Sequence, residues 1–194
     1  MKAKAILEAR DRLERARKAV AILSEGNSTF LDLKETWWSF VLAADRVYSK
    51  LEQGAKGDGP SAGWYGRAKH TRKTDELLSY IHHARISEEQ GLGGSSEETV
   101  GDFVVTKGGR AGHDEATDQT TIYLTASVPF EGKFVNDGIR LIKVTDDRYG
   151  DTFSPPTSHN GRQLDDRLPK TVATLGLSYL EDLIAEAEKL PVHQ

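Results

Sequence analysis

The stretch Thr74–Gly91, TDELLSYIHHARISEEQG, reads as one amphipathic helix ended by glycine. Taking Leu77 as origin and stepping about 100° per residue, Leu77, Tyr80, Ile81 and Ala84 share a face, with Leu78 at its edge. That is helical periodicity. Thr74 is the expected N-cap, with Asp75 and Glu76 at the positive end of the helix dipole. Gly91 and the pair Gly93–Gly94 stop the helix. Glu88 points along the apolar face and therefore needs a donor, because burying a carboxylate unpaired is costly. Asp75, His82 and Glu89 recur every seven residues on one flank, with Arg85 between that flank and the apolar face. The pattern fits a core helix with an internal ion pair; its sharper reading is a polar site of Arg85, Glu89 and Gln90 at the C-terminal end.

Three more helices are expected around this one. Residues 2–24 repeat Ile6, Ala9, Leu13, Ala16, Val20 and Leu23, with Glu8, Arg12, Glu14, Arg15 and Lys18 on a solvated outer face. Residues 29–53 carry a seam from Phe30 through Trp37 and Phe40 to Leu51, suited to packing on another helix. Arg46, mid-helix, is placed to reach Glu88 or Glu89. Residues 168–190 form the last helix, with Pro169 in its first turn and Pro191 at its end. Between the second and central helices, Gly54–Gly66 reads as a glycine-rich loop anchored by Trp64 and Tyr65. It leads into a basic cluster, Arg67, Lys69, His70, Arg72 and Lys73. This is either a solvated loop or, through Arg67, Lys69, Arg72 and Lys73, a nucleic-acid contact.

After Gly94 the period changes to that of strands. Phe103–Val105, Thr121–Phe130 and Ile139–Val144 are expected strands, Lys107–Gln119 a polar loop, and Asn136-Asp137-Gly138 a turn. The fold class expected is α+β. It is a four-helix bundle with a small antiparallel β meander, residues 97–145, inserted between the third and fourth helices of a single domain, 1–194. His159, in the SPPTSHNG loop, is the polar group placed to reach the central helix from outside.

Composition narrows the function. The chain has 194 residues, 29% charged, with a net charge of -4 and no cysteine. There is no global basic footprint for nucleic acid and no thiolate chemistry or disulfide. No apolar run reaches about 18 residues, and the first twenty residues are too charged for a signal peptide, so a cytoplasmic protein without membrane contact is expected. His113, Asp114, Glu115 and Asp118 match neither calcium-loop nor zinc spacing. Neither a metal nor a cofactor is expected, and no nucleotide-binding or hydrolase motif occurs.

The segment LLSYIHHARISEEQG resembles the last long helix of HEPN-type bundles, the superfamily of many prokaryotic toxin ribonucleases and defence proteins. Catalytic members carry Arg, often followed by a polar residue, then His four to six positions later. Arg85 fits that arginine. Gln90 stands at the histidine's place and Ile86 where Asn is common. The resemblance implies a homodimer and metal-independent RNA chemistry. Gln cannot exchange a proton near neutral pH, so Gln90 argues against catalysis. His82 and His83 precede Arg85 and do not restore the motif by spacing. The expected function is therefore a non-catalytic HEPN-like binding or interaction protein, with RNA or a protein as partner, in a bacterial or phage defence or toxin–antitoxin setting. The alternatives are a ribonuclease with a relocated acid/base group (His82, His83 or His159 beside Arg85) and an interaction module acting through its β segment.

Overall fold

The structure is a computed structural model that describes residues 1–25, 29–90, 94–99, 102–107, 109–114, 119–124, 129, 131–135, 138–146 and 150–192. It is α+β and mainly helical, with five helices and ten short strands among the described residues. The helices are α1 (Ala3–Glu25), α2 (Phe30–Ala55), α3 (Gly59–Thr74), α4 (Glu76–Gln90) and α5 (Pro169–Glu188). By contact density the chain divides into two compact units, residues 1–98 with 139–194, and residues 99–138.

In the first unit, local signals start each of the middle helices. Thr29 caps α2 through a reciprocal box: Asp32 N donates to Thr29 Oγ1 at 3.2 Å and Thr29 N donates to Asp32 Oδ2 at 3.2 Å. Asp75, one residue later than expected, caps α4 by accepting from Leu78 N at 3.0 Å. Thr74 instead closes α3, its hydroxyl bonded back to the His70 carbonyl at 3.1 Å. Asp58 caps α3, accepting from Ser61 N at 3.3 Å, with Pro60 in the first turn.

Helix α3 corrects the expected loop at Gly54–Gly66. Its glycines lower helix propensity by about 1 kcal/mol each, which is why the segment reads as a loop. Trp64, Tyr65 and Ala68 nonetheless fall on one buried face, and Trp64 Nε1 donates to Glu186 Oε2 at 3.1 Å. Burial of two aromatic rings outweighs the propensity deficit. The basic cluster consequently lies on a helix.

Helix α2 carries the centre of the core, with Trp37, Phe40, Val41, Val47 and Leu51 fully buried. Its neighbours α1, α4 and α5 present the apolar stripes read from the sequence. Helix α5 approaches most closely at Gly176, where an added Cβ would sit 2.7 Å from Ile81 Cδ1 and 3.1 Å from Phe40 Cζ. Gly176→Ala should therefore destabilise by about 1 kcal/mol, roughly 2 of overpacking less about 1 of helix propensity. Gly66→Ala, with open space around its Cβ, should stabilise by about 0.5–1 kcal/mol. Urea midpoints of the two variants check the pair; equal shifts would contradict the close approach.

Short antiparallel pairs complete this unit. β1 (Ser96–Glu98) pairs with β6 (Ile139–Leu141), and β7 (Val144–Asp146) with β8 (Asp151–Phe153). The expected strand Ile139–Val144 is thus split between two partners. β9 (Ser158–His159) and β10 (Arg162–Gln163) form a tight hairpin. Its two turn residues, Asn160 (φ 50°) and Gly161 (φ 74°), both have positive φ, the mark of a two-residue hairpin turn.

The second unit is built of nested pairs. β2 (Asp102–Lys107) pairs with β5 (Glu131–Val135), and β3 (Gly109–Asp114) with β4 (Gln119–Leu124). Nested pairing differs from a sequential three-stranded meander. β3 occupies the expected polar loop, where GRAGHD lacks apolar alternation and takes its order from pairing with QTTIYL. The side chains of His113 and Asp114, and residues Glu115 and Asp118 entirely, lie outside the described residues. So do Asn136 and Asp137 of the expected turn; Gly138 beside them has φ 72°.

Candidate functional site

Helix α4 lies against α2, α3 and β7–β9, and each side of it meets different partners. On the α2 side stands Asp45, only 12% exposed. Its Oδ2 accepts from Arg85 Nη2 at 3.2 Å. Its Oδ1 lies 3.6 Å from Arg72 Nη1 and 3.6 Å from His82 Nδ1. Both are longer than hydrogen bonds, and the first is a contact of opposite charges. The other Arg85 nitrogen, Nη1, bonds Glu89 one turn on. The Arg72 guanidinium also lies over the Tyr48 ring, 4.3 Å from its centroid. Burial pushes the Asp45 carboxyl up, but His82 and the Arg85 and Arg72 charges outweigh it and hold it below the usual carboxylate range. The space enclosed by Asp45, Tyr48, Arg72, Leu78 and His82 is about 10 Å³, room for one water at most.

The apolar face of α4 ends at Glu88, and its required donors are present. Glu88 Oε1 accepts from Ser95 N and Ser95 Oγ, both at 2.7 Å. Ser95 Oγ in turn accepts from Trp37 Nε1 at 2.8 Å. Tyr80 donates its hydroxyl to the Ile142 carbonyl at 2.7 Å. Glu88 thus tethers the segment after α4 to α2. Arg46, expected near Glu88 or Glu89, instead faces α1.

On the other side, His83 stacks on Phe153, centroids 3.5 Å apart and planes 8° from parallel. Its Nδ1 is 3.6 Å from Asp146 Oδ2. Burial, and then the neighbouring His82, push His83 down to about 4 against the pull of Asp146 and Asp151. It is neutral at pH 7.

At the N-terminal end, the β9–β10 hairpin is clamped to α4. Asp75 accepts from Asn160 N at 2.8 Å, and its Oδ1 lies 3.0 Å from His159 Nδ1. Glu76 accepts from Thr157 N and Ser158 N, each at 3.0 Å. Burial would raise the Asp75 carboxyl, but the Asn160 and His159 bonds hold it low. His159 borders an open cleft of about 750 Å³ with Arg162, Lys170 and Thr174. Its Nε2 is 3.1 Å from Asn160 Nδ2, so the clamp engages both ring nitrogens.

The structure therefore gathers Arg85, Glu89 and His82 into one cluster and adds Asp45 and Arg72. His159 reaches the central helix, but ten residues from Arg85, about 15 Å along the axis. Gln90 ends α4, and its side chain lies outside the described residues. Arg67, Lys69 and Lys73 are exposed on α3, whereas Arg72 turns inward to Asp45.

No family model, no curated protein and no solved structure matches this chain.

The site thus stands on its own chemistry. Its guanidiniums already have carboxylate partners, the space around Asp45 has room for one water at most, and His83 is stacked against the Phe153 ring. Sequence reasoning missed Asp45 and Ser95. The signal for Asp45 was an acid in mid-helix one position from the apolar seam residue Ala44, where burial demands a cation.

Proposed function

We propose that this chain is a non-catalytic interaction protein of HEPN-like type, with α1, α2, α4 and α5 as the bundle and residues 99–138 as its β insertion. It acts as a homodimer in a bacterial or phage defence or toxin–antitoxin setting, with RNA or protein as partner. The observation that carries the non-catalytic reading is Arg85. Its two terminal nitrogens bond Asp45 and Glu89, so its charge is already met by two carboxylates that a scissile phosphate would have to displace. The sequence adds Gln90, which cannot act as an acid or base at neutral pH. Arg67, Lys69 and Lys73 offer a cationic surface on α3 for backbone contact with RNA.

The alternative, a metal-independent ribonuclease, is favoured by one arrangement, His159 oriented by Asp75 beside an open cleft. Mixed RNA incubated with the purified protein and a metal chelator separates the two readings, alongside Arg85→Ala and His159→Ala. The expected result is intact RNA in all three reactions. Cleavage by the wild type that Arg85→Ala or His159→Ala abolishes would overturn the non-catalytic reading and name the residue responsible. Light scattering of the same sample should return twice the chain mass.

A further inference from the structure

The outer face of the α1–α2 hairpin carries a second seam. On α1, Arg12, Arg15, Ala19 and Ile22 step by three and four. On α2, Thr36, Ser39, Ala43, Arg46 and Lys50 do the same. Together they line a trough of about 680 Å³, open among the described residues of the first unit. Its floor is apolar and partly of small residues: Ala19, Ala43 and Leu42, with Ile22 40% exposed at one end. Its walls are cationic: Arg12, Arg15, Lys18, Arg46 and Lys50. Among the described residues that line it, none is acidic. Glu8 pairs with Lys50 at 2.7 Å, and Asp11 lies 3.6 Å from Arg12 and 3.8 Å from Arg15, both acids from outside the trough. Lys18 and Arg46 are exposed and have no carboxylate partner among the described residues, and Arg12 Nε is buried without a hydrogen-bond partner among them.

Three-and-four spacing on both walls makes a straight trough with the periodicity of a helix, so a third helix fits it by ridges into grooves. An apolar floor flanked by cations calls for an apolar stripe flanked by acids. Single-stranded nucleic acid fits less well, because no aromatic side chain lines the trough to stack a base. We propose that this trough is the docking site for an acidic amphipathic helix of a partner protein, bound in the helix-in-groove mode. The trough shares no lining residue with the space around Asp45 or the cleft at His159, so this proposal stands whether or not RNA is cleaved.

The test uses the full chain and a labelled synthetic peptide of about 20 residues, with Leu at three-and-four spacing flanked by Glu. Anisotropy should rise saturably with the wild type and weaken as salt increases. Lys18→Glu with Arg46→Glu should lower affinity about tenfold or more and leave the melting temperature unchanged, since both side chains are exposed and unpaired. Ile22→Asp should also weaken binding, by removing the apolar end of the floor. A peptide of the same composition in scrambled order should bind at least about tenfold more weakly. The proposal fails if the wild type gives no saturable binding, if the scrambled peptide binds equally, or if the double variant matches the wild type. It fails equally if a single-stranded RNA oligonucleotide binds more tightly than the peptide and depends on Lys18 and Arg46, or if these two residues instead hold two copies of the chain together.

Discussion

Asp45→Ala should cost about 3 kcal/mol of folding stability, the lower end of what removing one partner of a buried ion pair costs. Asp45 is the one carboxylate shared by Arg72, Arg85 and His82. Removing it leaves two partly buried guanidiniums, 14% and 23% exposed, facing each other across the space it filled. Arg85 keeps Glu89 and Arg72 keeps the Tyr48 ring, which places the cost at the low end. Asp45→Asn, which keeps the shape and loses the charge, should cost roughly half as much. The double variant Asp45→Ala with Arg85→Met should be less destabilised than the sum of its parts, because the unpaired cation is gone. Urea denaturation of the wild type, Asp45→Ala, Asp45→Asn, Arg85→Met and the double variant measures this. A loss below about 0.5 kcal/mol in Asp45→Ala, the range of ordinary surface substitutions, would show that the network contributes nothing.

Acidification from pH 6.5 towards pH 4 should lower stability by about 2–3 kcal/mol through His83. The unfolded imidazole titrates near its ordinary value of about 6.5, while the folded one is pushed down to about 4. Between these values the unfolded chain holds a proton that the folded chain does not. Stability therefore rises with pH across this window, by up to about 1.4 kcal/mol per unit. The 18% exposure of His83 lets water moderate the effect. Below about pH 4 a second loss belongs to carboxylates such as Asp45 and Asp75, whose depressed carboxyls stabilise the fold above their unfolded values and lose that contribution as pH falls through the folded ones. His83→Gln should flatten the dependence between pH 4 and 6.5 and leave the lower limb in place. Denaturation midpoints at several pH values decide it; parallel curves for wild type and variant would remove His83 as the cause.

The first effect arises where Asp45 of α2 meets α4 and the second on α4 itself, yet the sequence disclosed them unequally. The need of Glu88 for a donor was legible, because its angle on the helix put a carboxylate in the apolar stripe. Its donor, Ser95, was not, since that depends on the chain turning back after Gly94. The pairing of Arg85 with Glu89 follows from i,i+4 spacing on one helix; the pairing with Asp45 needs α2 to cross there. Arg72 sits in a run of basic residues that looks uniform in sequence. On α3 it faces inward with Tyr65 and Ala68, while Arg67, Lys69 and Lys73 face out. The Asn160-Gly161 pair was a readable hairpin signal, passed over because the strands it joins are only two residues long. Helix α3 was hidden by its glycines, and β3 by its lack of apolar alternation. In each, the ordering comes from a partner distant in sequence.

The sequence by itself determined the apolar faces of α1, α2, α4 and α5 and the place of Pro169 in the first turn of α5. Periodicity and capping act within a turn or two of helix, so they are carried by neighbouring residues. Only the tertiary structure decided which charges meet. Arg85 turns to Asp45, Arg46 turns to the α1 trough, and His159 lands on Asp75 rather than beside Arg85, because charge pairing depends on which helix lies across the way.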